Sequence, residues 1–268
     1  MGAICKFIIC LFFCNSLILT SSVYAENIHV AAATSLTHVL EEIANQFENE
    51  TDHVVKLSFS SSGNLTRQII QGAPFKLFLS ADESYISLLR KQGLTNGDND
   101  VYGIGRLVLY VPEGSNILPS ADLSTLANAI KDGELTRLAI ANPEHAPYGF
   151  IAKQALQNAG LWETIMPYLV TGKSASQTAQ FALSNAVDAA LIPYSLALRP
   201  ELDSKGKYLL INDALYSPLE QTMVLIKDAD SAAKEFYNFI LGDKARTIIR
   251  SHGFGESIGQ FNQTALKP

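Results

Sequence analysis

From Asn27 onward the chain alternates short apolar runs with stretches whose apolar residues recur every three or four positions. "NIHVAAA" reads as a strand, and straight after it Leu36, Val39, Leu40, Ile43, Ala44 and Phe47 fall on one face of a helix. The same reasoning predicts strands in "HVVKLSFS", "FKLFLSA", "RLVLYVP", "TRLAIANP", "YLVTG", "DAALIPYS", "YLLIN" and "QTMVLIK". Between them "NLTRQIIQG", "DESYISLLRKQG", "ADLSTLANAIKDG", "YGFIAKQALQNAG" and "SQTAQFALSN" read as helices, several of them stopped by a glycine. "SAAKEFYNFILG" and "DKARTIIRSHG" add two more near the end. Repeated strand–helix–strand alternation argues for parallel sheets covered by helices on both faces. No internal repeat, low-complexity tract or long Pro- or Gly-rich linker interrupts the pattern, so two lobes would have to be joined by short extended segments. "VYGIGRLVLY" and "ALYSPLEQTMV" suit that role. They predict a discontinuous first lobe, residues 26–104 plus 218–268, and a second lobe of residues 105–217.

Residues 1–25, "MGAICKFIICLFFCNSLILTSSVYA", break the pattern. One early lysine, a mostly apolar core and small residues before Glu26 predict a cleaved secretory signal peptide. The apolar stretch is short for a bilayer span. Cleavage would remove Cys5, Cys10 and Cys14, leaving a mature chain without disulfide or thiolate chemistry. Loss of Lys6 would take the formal charge from −6 to −7. An acidic chain with no basic run is a poor partner for nucleic acid. The expectation is a soluble monomer in the periplasm.

Candidate chemistry gathers at strand-to-helix turns. "AAATSL" offers Thr34 and Ser35, "FSSSGNL" offers Ser60, Ser61 and Ser62 before Gly63, and "GKSASQ" offers Ser174 and Ser176. "EHAPYGF" offers Tyr148 and Gly149. In open α/β sheets such turns lie at the carboxyl ends of strands, where ligands bind. Helix N-termini there present unpaired N–H groups and the positive end of a dipole, a ready site for an anion. Capping alone explains any one of these turns, since Ser and Thr are ordinary N-cap residues. Several in one chain point to a ligand.

At these turns the sequence resembles the periplasmic molybdate-binding proteins of ABC-type importers, over essentially the whole mature chain. The blocks that carry the resemblance are "VAAATSLTHVLEEIANQF", "FSSSGNLTRQIIQGAPFKLFLSAD", "AIANPEHAPYGFIAKQALQNAGLW" and "KEFYNFILGDKARTIIRSHGF". It implies an α/β, two-lobed periplasmic binding protein. Each lobe is a mostly parallel sheet flanked by helices, and the oxyanion is held in the cleft between them. It also implies lobe closure on molybdate or tungstate and delivery to a membrane permease. Catalysis and a cofactor are not implied, and metal is bound only as the oxyanion. Position by position, the resemblance assigns ligand contacts to Thr34, Ser35, Ser62, and the backbone N–H groups of Tyr148 and Ala175. Some members carry a tyrosine donor on a late strand, where this chain has Pro193 with Tyr194 beside it. Others carry it at the place of Tyr148, which is favoured here over Tyr194.

A donor-only site suits such a ligand. Molybdate at neutral pH is fully deprotonated and can only accept hydrogen bonds. A protonated phosphate would need an acceptor for its own O–H, and an unpaired buried polar group costs about 1–3 kcal/mol. Competing readings are the same fold with sulfate, phosphate or a small organic anion, or an iron-carrying relative using Tyr148 and Tyr194. A secreted hydrolase is disfavoured, because "SSSGN" lacks the nucleophile elbow and neither Ser35 nor Ser62 has an evident base. The five histidines lack metal-site spacing, and His145 in "PEHAP" is expected to serve its turn.

Overall fold

The computed structural model describes residues 26–256, so the predicted signal peptide, with all three cysteines, lies outside the described residues. The chain opens with β1 (Asn27–Ala33), α1 (Thr37–Glu50), β2 (Val54–Ser60), α2 (Ser62–Ile70), β3 (Leu77–Ser80), α3 (Glu83–Lys91) and β4 (Thr95–Gly105). It continues with β5 (Leu107–Pro112), α4 (Ser124–Lys131), β6 (Leu138–Ala141), α5 (Pro147–Asn158), α6 (Trp162–Ile165), β7 (Leu169–Gly172) and α7 (Ala175–Leu183). Next come β8 (Ala189–Pro193), α8 (Tyr194–Ala197), α9 (Pro200–Asp203) and β9 (Gly206–Leu210). The chain returns through β10 (Leu219–Ile226), α10 (Ser231–Leu241) and α11 (Asp243–Ser251).

These strands form two five-stranded sheets, in the orders β2-β1-β3-β10-β4 and β7-β6-β8-β5-β9. The pairs β1–β2, β1–β3, β6–β7 and β6–β8 are parallel. In each sheet the fourth strand, β10 or β5, is antiparallel to both neighbours. Each sheet is therefore mixed, with four strands running one way and one reversed. The reversed strand is the one entered directly after the chain passes from the other sheet. Those passages are the turn at Arg106 and the segment 211–218, which holds a single 3-10 turn, Asp213–Leu215, in place of a fully extended run.

Period-2 alternation along β1 shows how the first sheet is covered. Ile28, Val30 and Ala32 pack with Leu36, Leu40 and Phe47 of the following turn and α1, and with Phe236 of α10. Ala31 faces the other way, toward Leu65 and Ile69 of α2 and Ile86 and Leu89 of α3. A strand buried on both faces reads as a continuous apolar run, as the second half of β1, Val30–Ala33, does. The second sheet, with fully buried Leu107–Tyr110 and Ala189–Ile192, holds one large core that also takes in Ala33 and Ala81 of the first half of the chain. The two halves thus meet through packed side chains.

Candidate functional site

β1, β2, β6 and β7 all end in turns that converge on one small cavity. It is lined by Ala33, Thr34, Ser35, Ser61, Ser62, Ala81, Ala146, Pro147, Tyr148 and Ala175. The cavity is small, about 10 Å³. The lining carries no charged side chain, and its hydroxyl-bearing residues are all buried. Thr34, Ser35, Ser62, Tyr148 and Ala175 were each singled out from the sequence, and the fold brings all five to this cavity.

The local structure separates capping from other roles. After β1 the chain makes a single 3-10 turn, Thr34–Leu36, before α1 begins. The Thr34 carbonyl accepts from the backbone N–H of Thr37 and from its Oγ1 at 2.9 Å. Neither Thr34 nor Ser35 caps α1, and Ser35 Oγ is buried without a hydrogen-bond partner in the protein. Ser61 occupies the N-cap of α2 in extended geometry, yet its side chain makes no capping bond, and its Oγ is likewise buried and unpartnered. Ser62 Oγ accepts from the Ala81 N–H at 3.0 Å, which leaves its own proton to donate. Ser174 shows the ordinary alternative: as N-cap of α7 it accepts from the Gln177 N–H at 3.3 Å. Capping accounts for Ser174 and does not account for Ser35 or Ser61.

On the opposite wall, the Asn142 carbonyl accepts from the N–H groups of His145 and Ala146, and Asn142 Oδ1 accepts from the Glu144 N–H at 2.8 Å. This turn delivers Pro147 to the first position of α5, where its missing N–H costs nothing. Tyr148 follows, with its backbone N–H in the first turn of the helix. Burial, and after it the neighbouring Tyr216, push the Tyr148 phenol well above its ordinary range; Ser35 and Arg106 pull the other way without cancelling this. The phenol keeps its proton and remains a donor. Ser35 Oγ stands near it yet makes no hydrogen bond of acceptable geometry. Gly105 makes room for this side chain, since a Cβ there would stand 2.5 Å from the Tyr148 hydroxyl.

Tyr194 is not brought to the cavity. Its ring lies 4.9 Å beneath the Arg106 guanidinium, its N–H donates to the Arg106 carbonyl, and it packs against Gly253. Pro193 ends β8 and turns the chain into α8, which carries the tyrosine away from the lining. His145 contributes its carbonyl, which accepts from the Gly63 N–H at 3.1 Å, while its imidazole stands 3.9 Å from Glu144. Ser61, offered by the same turn as Ser62 but not assigned a contact from sequence, also lines the cavity. Among the described residues no group of three or more His, Cys, Asp or Glu is placed to hold a metal ion.

Two mixed sheets with a small polar cavity between them define a two-lobed solute-binding protein of the periplasmic type. The chain belongs to the family of bacterial extracellular solute-binding proteins, whose profile matches residues 28–255. It is similar to molybdate-binding protein ModA of Rhodobacter capsulatus, at 34% identity over 86% of this chain and 88% of that one. It is also similar to molybdate-binding protein ModA of Azotobacter vinelandii, at 32% identity over 89% and 93% of the two chains. The solved periplasmic molybdate-binding protein of Azotobacter vinelandii superposes with a TM-score of 0.78 at 30% identity, covering 86% of this chain and 99% of that one.

Proposed function

We propose that this protein captures molybdate, and the near-isosteric tungstate, in the cleft between its lobes and delivers it to an ABC permease in the membrane. The observation that carries this reading is the pair of buried hydroxyls, Ser35 Oγ and Ser61 Oγ, left without protein partners beside a cavity that has donors and no charged side chain. A buried polar group left unpaired costs about 1–3 kcal/mol, so two in one small space are accounted for if a ligand accepts from them. Three helices of eight or more residues, α2, α5 and α7, start at the cavity and point their free N–H groups and positive dipole ends toward it. Countercharge is thereby spread over dipoles, and no buried arginine with its desolvation cost is needed. In this reading Thr34, Ser35, Ser61 and Ser62 hold the anion from one lobe. The backbone N–H groups of Tyr148 and Ala175, with the Tyr148 hydroxyl, hold it from the other.

The protein acts as a monomer in the periplasm after its signal peptide is removed, and it neither turns the anion over nor uses a cofactor. Its identity to two molybdate-binding relatives over most of the chain supports the choice of ligand. Thermal melting against an anion panel tests the assignment. A ligand that binds only the folded form adds about 4 kcal/mol of stability at a thousandfold excess over Kd. Melting should rise with molybdate and tungstate and stay nearly flat with phosphate. Equal shifts for phosphate and molybdate would exclude a donor-only site.

A further inference from the structure

The cavity is narrow and its walls come from both halves of the chain: Ser62 and Tyr148, on opposite walls, are 0% and 3% exposed. A ligand gripped by both walls is freed when the lobes part, so whatever holds the lobes together bears on how long it stays. Beside the cavity three hydrogen bonds cross from one half of the chain to the other. The Gly63 N–H donates to the His145 carbonyl at 3.1 Å, and Ser176 Oγ donates to the Thr34 carbonyl at 3.4 Å. Ser195 Oγ donates to the Ser35 carbonyl at 2.8 Å.

The Ser195 bond is the shortest of these, and both of its residues are buried. Ser195 is not part of the cavity lining. It lies in α8, two residues beyond the end of β8, so the second sheet fixes its place. The carbonyl it reaches belongs to the residue whose own hydroxyl is unpartnered beside the cavity. The turn that offers Ser35 to a ligand is therefore gripped from the other lobe. Gly63 acts at the rim in a different way. A Cβ at that position would stand 2.9 Å from the His145 carbonyl oxygen and 3.2 Å from both His145 Cα and the Tyr85 ring. The bare α-carbon lets backbone meet backbone.

We infer that Ser195 and Gly63 are positioning residues that form an interlobe latch, holding the closed form and slowing release of the anion without touching it. The inference rests on the reading that the cleft holds a molybdate-type dianion. When the lobes part, the Ser195 hydroxyl and the Ser35 carbonyl exchange each other for water, so their bond favours the closed state alone. An interaction present in one of two states shifts the balance between them by its full differential value. Encounter takes place on the open form, so the association rate is untouched and the effect falls on dissociation.

Stopped-flow kinetics with molybdate as the probe, beside melting curves without it, tests the latch. Ser195→Ala should raise the dissociation rate about three- to tenfold, the worth of one net hydrogen bond. Its association rate and its ligand-free melting temperature should match wild type. Gly63→Ala should also speed release, while ligand-free melting holds or rises, because alanine favours a helix over glycine. Ser176→Ala, whose bond is longer and only partly buried, should change release least. Dissociation rates equal to wild type in both Ser195→Ala and Gly63→Ala would overturn the latch. So would a fall in ligand-free melting that tracks the loss of affinity, which marks a merely structural role. A wild type that fails to bind molybdate would instead remove the ligand assignment. Closure is then read without ligand from hydrogen exchange at the Gly63 amide, which donates across the cleft to His145. Ser195→Ala should speed that exchange, and an unchanged exchange rate would overturn the latch whatever the ligand.

Discussion

At the residue scale, the serines divide by what their hydroxyls do. Ser174 caps a helix, whereas Ser35 and Ser61 are buried with no protein partner. Ser174→Ala should therefore lower stability by ~0.5–2 kcal/mol and leave molybdate affinity nearly unchanged. Ser35→Ala and Ser61→Ala should do the reverse. Each removes a hydrogen bond to a charged ligand worth about 1.5–3 kcal/mol, and each also relieves the free protein of an unpaired hydroxyl. Titration of each variant beside its ligand-free melting curve checks this; unchanged affinity with reduced melting would return these serines to capping. The double variant need not show the sum, since both hydroxyls serve one small ligand. From sequence, the whole run Ser60–Ser62 was legible as a candidate turn, and Ser62 was chosen from it as the contact. Three consecutive serines are equivalent on paper. Which hydroxyl faces the cavity depends on where the extended backbone gives way to helix, here between Ser61 and Ser62. Tyr194 misled for a similar reason: one residue past the end of a strand, the direction of a side chain is set by the turn.

At the element scale, the strands and helices with strong periodicity were readable to within a few residues, and Asp82 caps α3 through the Ser84 N–H, as its place after a strand suggests. The clear miss is β4. Its first half, "TNGDND", has no apolar alternation and is largely exposed. It is a strand because it pairs along β10 at the edge of the sheet, with two irregularities in register, and pairing of that kind leaves little mark in a sequence. The helix that matters most for the site is α5. Gly149 lies so close to the Ala141 carbonyl that an added Cβ would collide with it. Gly149→Ala should push the start of α5 away from the cavity, moving the Tyr148 N–H and its hydroxyl together. Molybdate affinity and melting temperature should both fall, in contrast to the separated effects of the serine variants. Wild-type affinity in a folded Gly149→Ala protein would show that α5 does not need this close approach.

At the scale of the whole molecule, the reversal of β5 and β10 was not visible in the sequence. Strand direction inside a sheet follows from three-dimensional pairing, and short apolar runs do not encode it. Several buried tyrosines give the molecule a pH signature of its own. Burial is the main cause that pushes Tyr216 up to about 12, and it raises Tyr102 and Tyr237 in the same direction. In the unfolded chain these phenols release their protons near ~10. Their contribution to stability is therefore complete below that pH and is lost as pH rises through the folded values. Denaturant midpoints should hold steady up to about pH 9 and fall beyond about pH 10. A midpoint still flat at about pH 11.5 would contradict this.

A site of neutral donors has a simpler consequence near neutrality. The phenol of Tyr148 stays protonated, and no other titratable side chain lines the cavity. The central claim is that this cavity accepts a fully deprotonated dianion and rejects one that carries a proton. Calorimetric titration of the wild-type protein with molybdate and with phosphate, at a pH where phosphate retains a proton, tests it most directly. The account predicts saturable binding of one molybdate per chain and no measurable heat of binding for phosphate. Phosphate binding as tight as molybdate, or no molybdate binding at all, would contradict it.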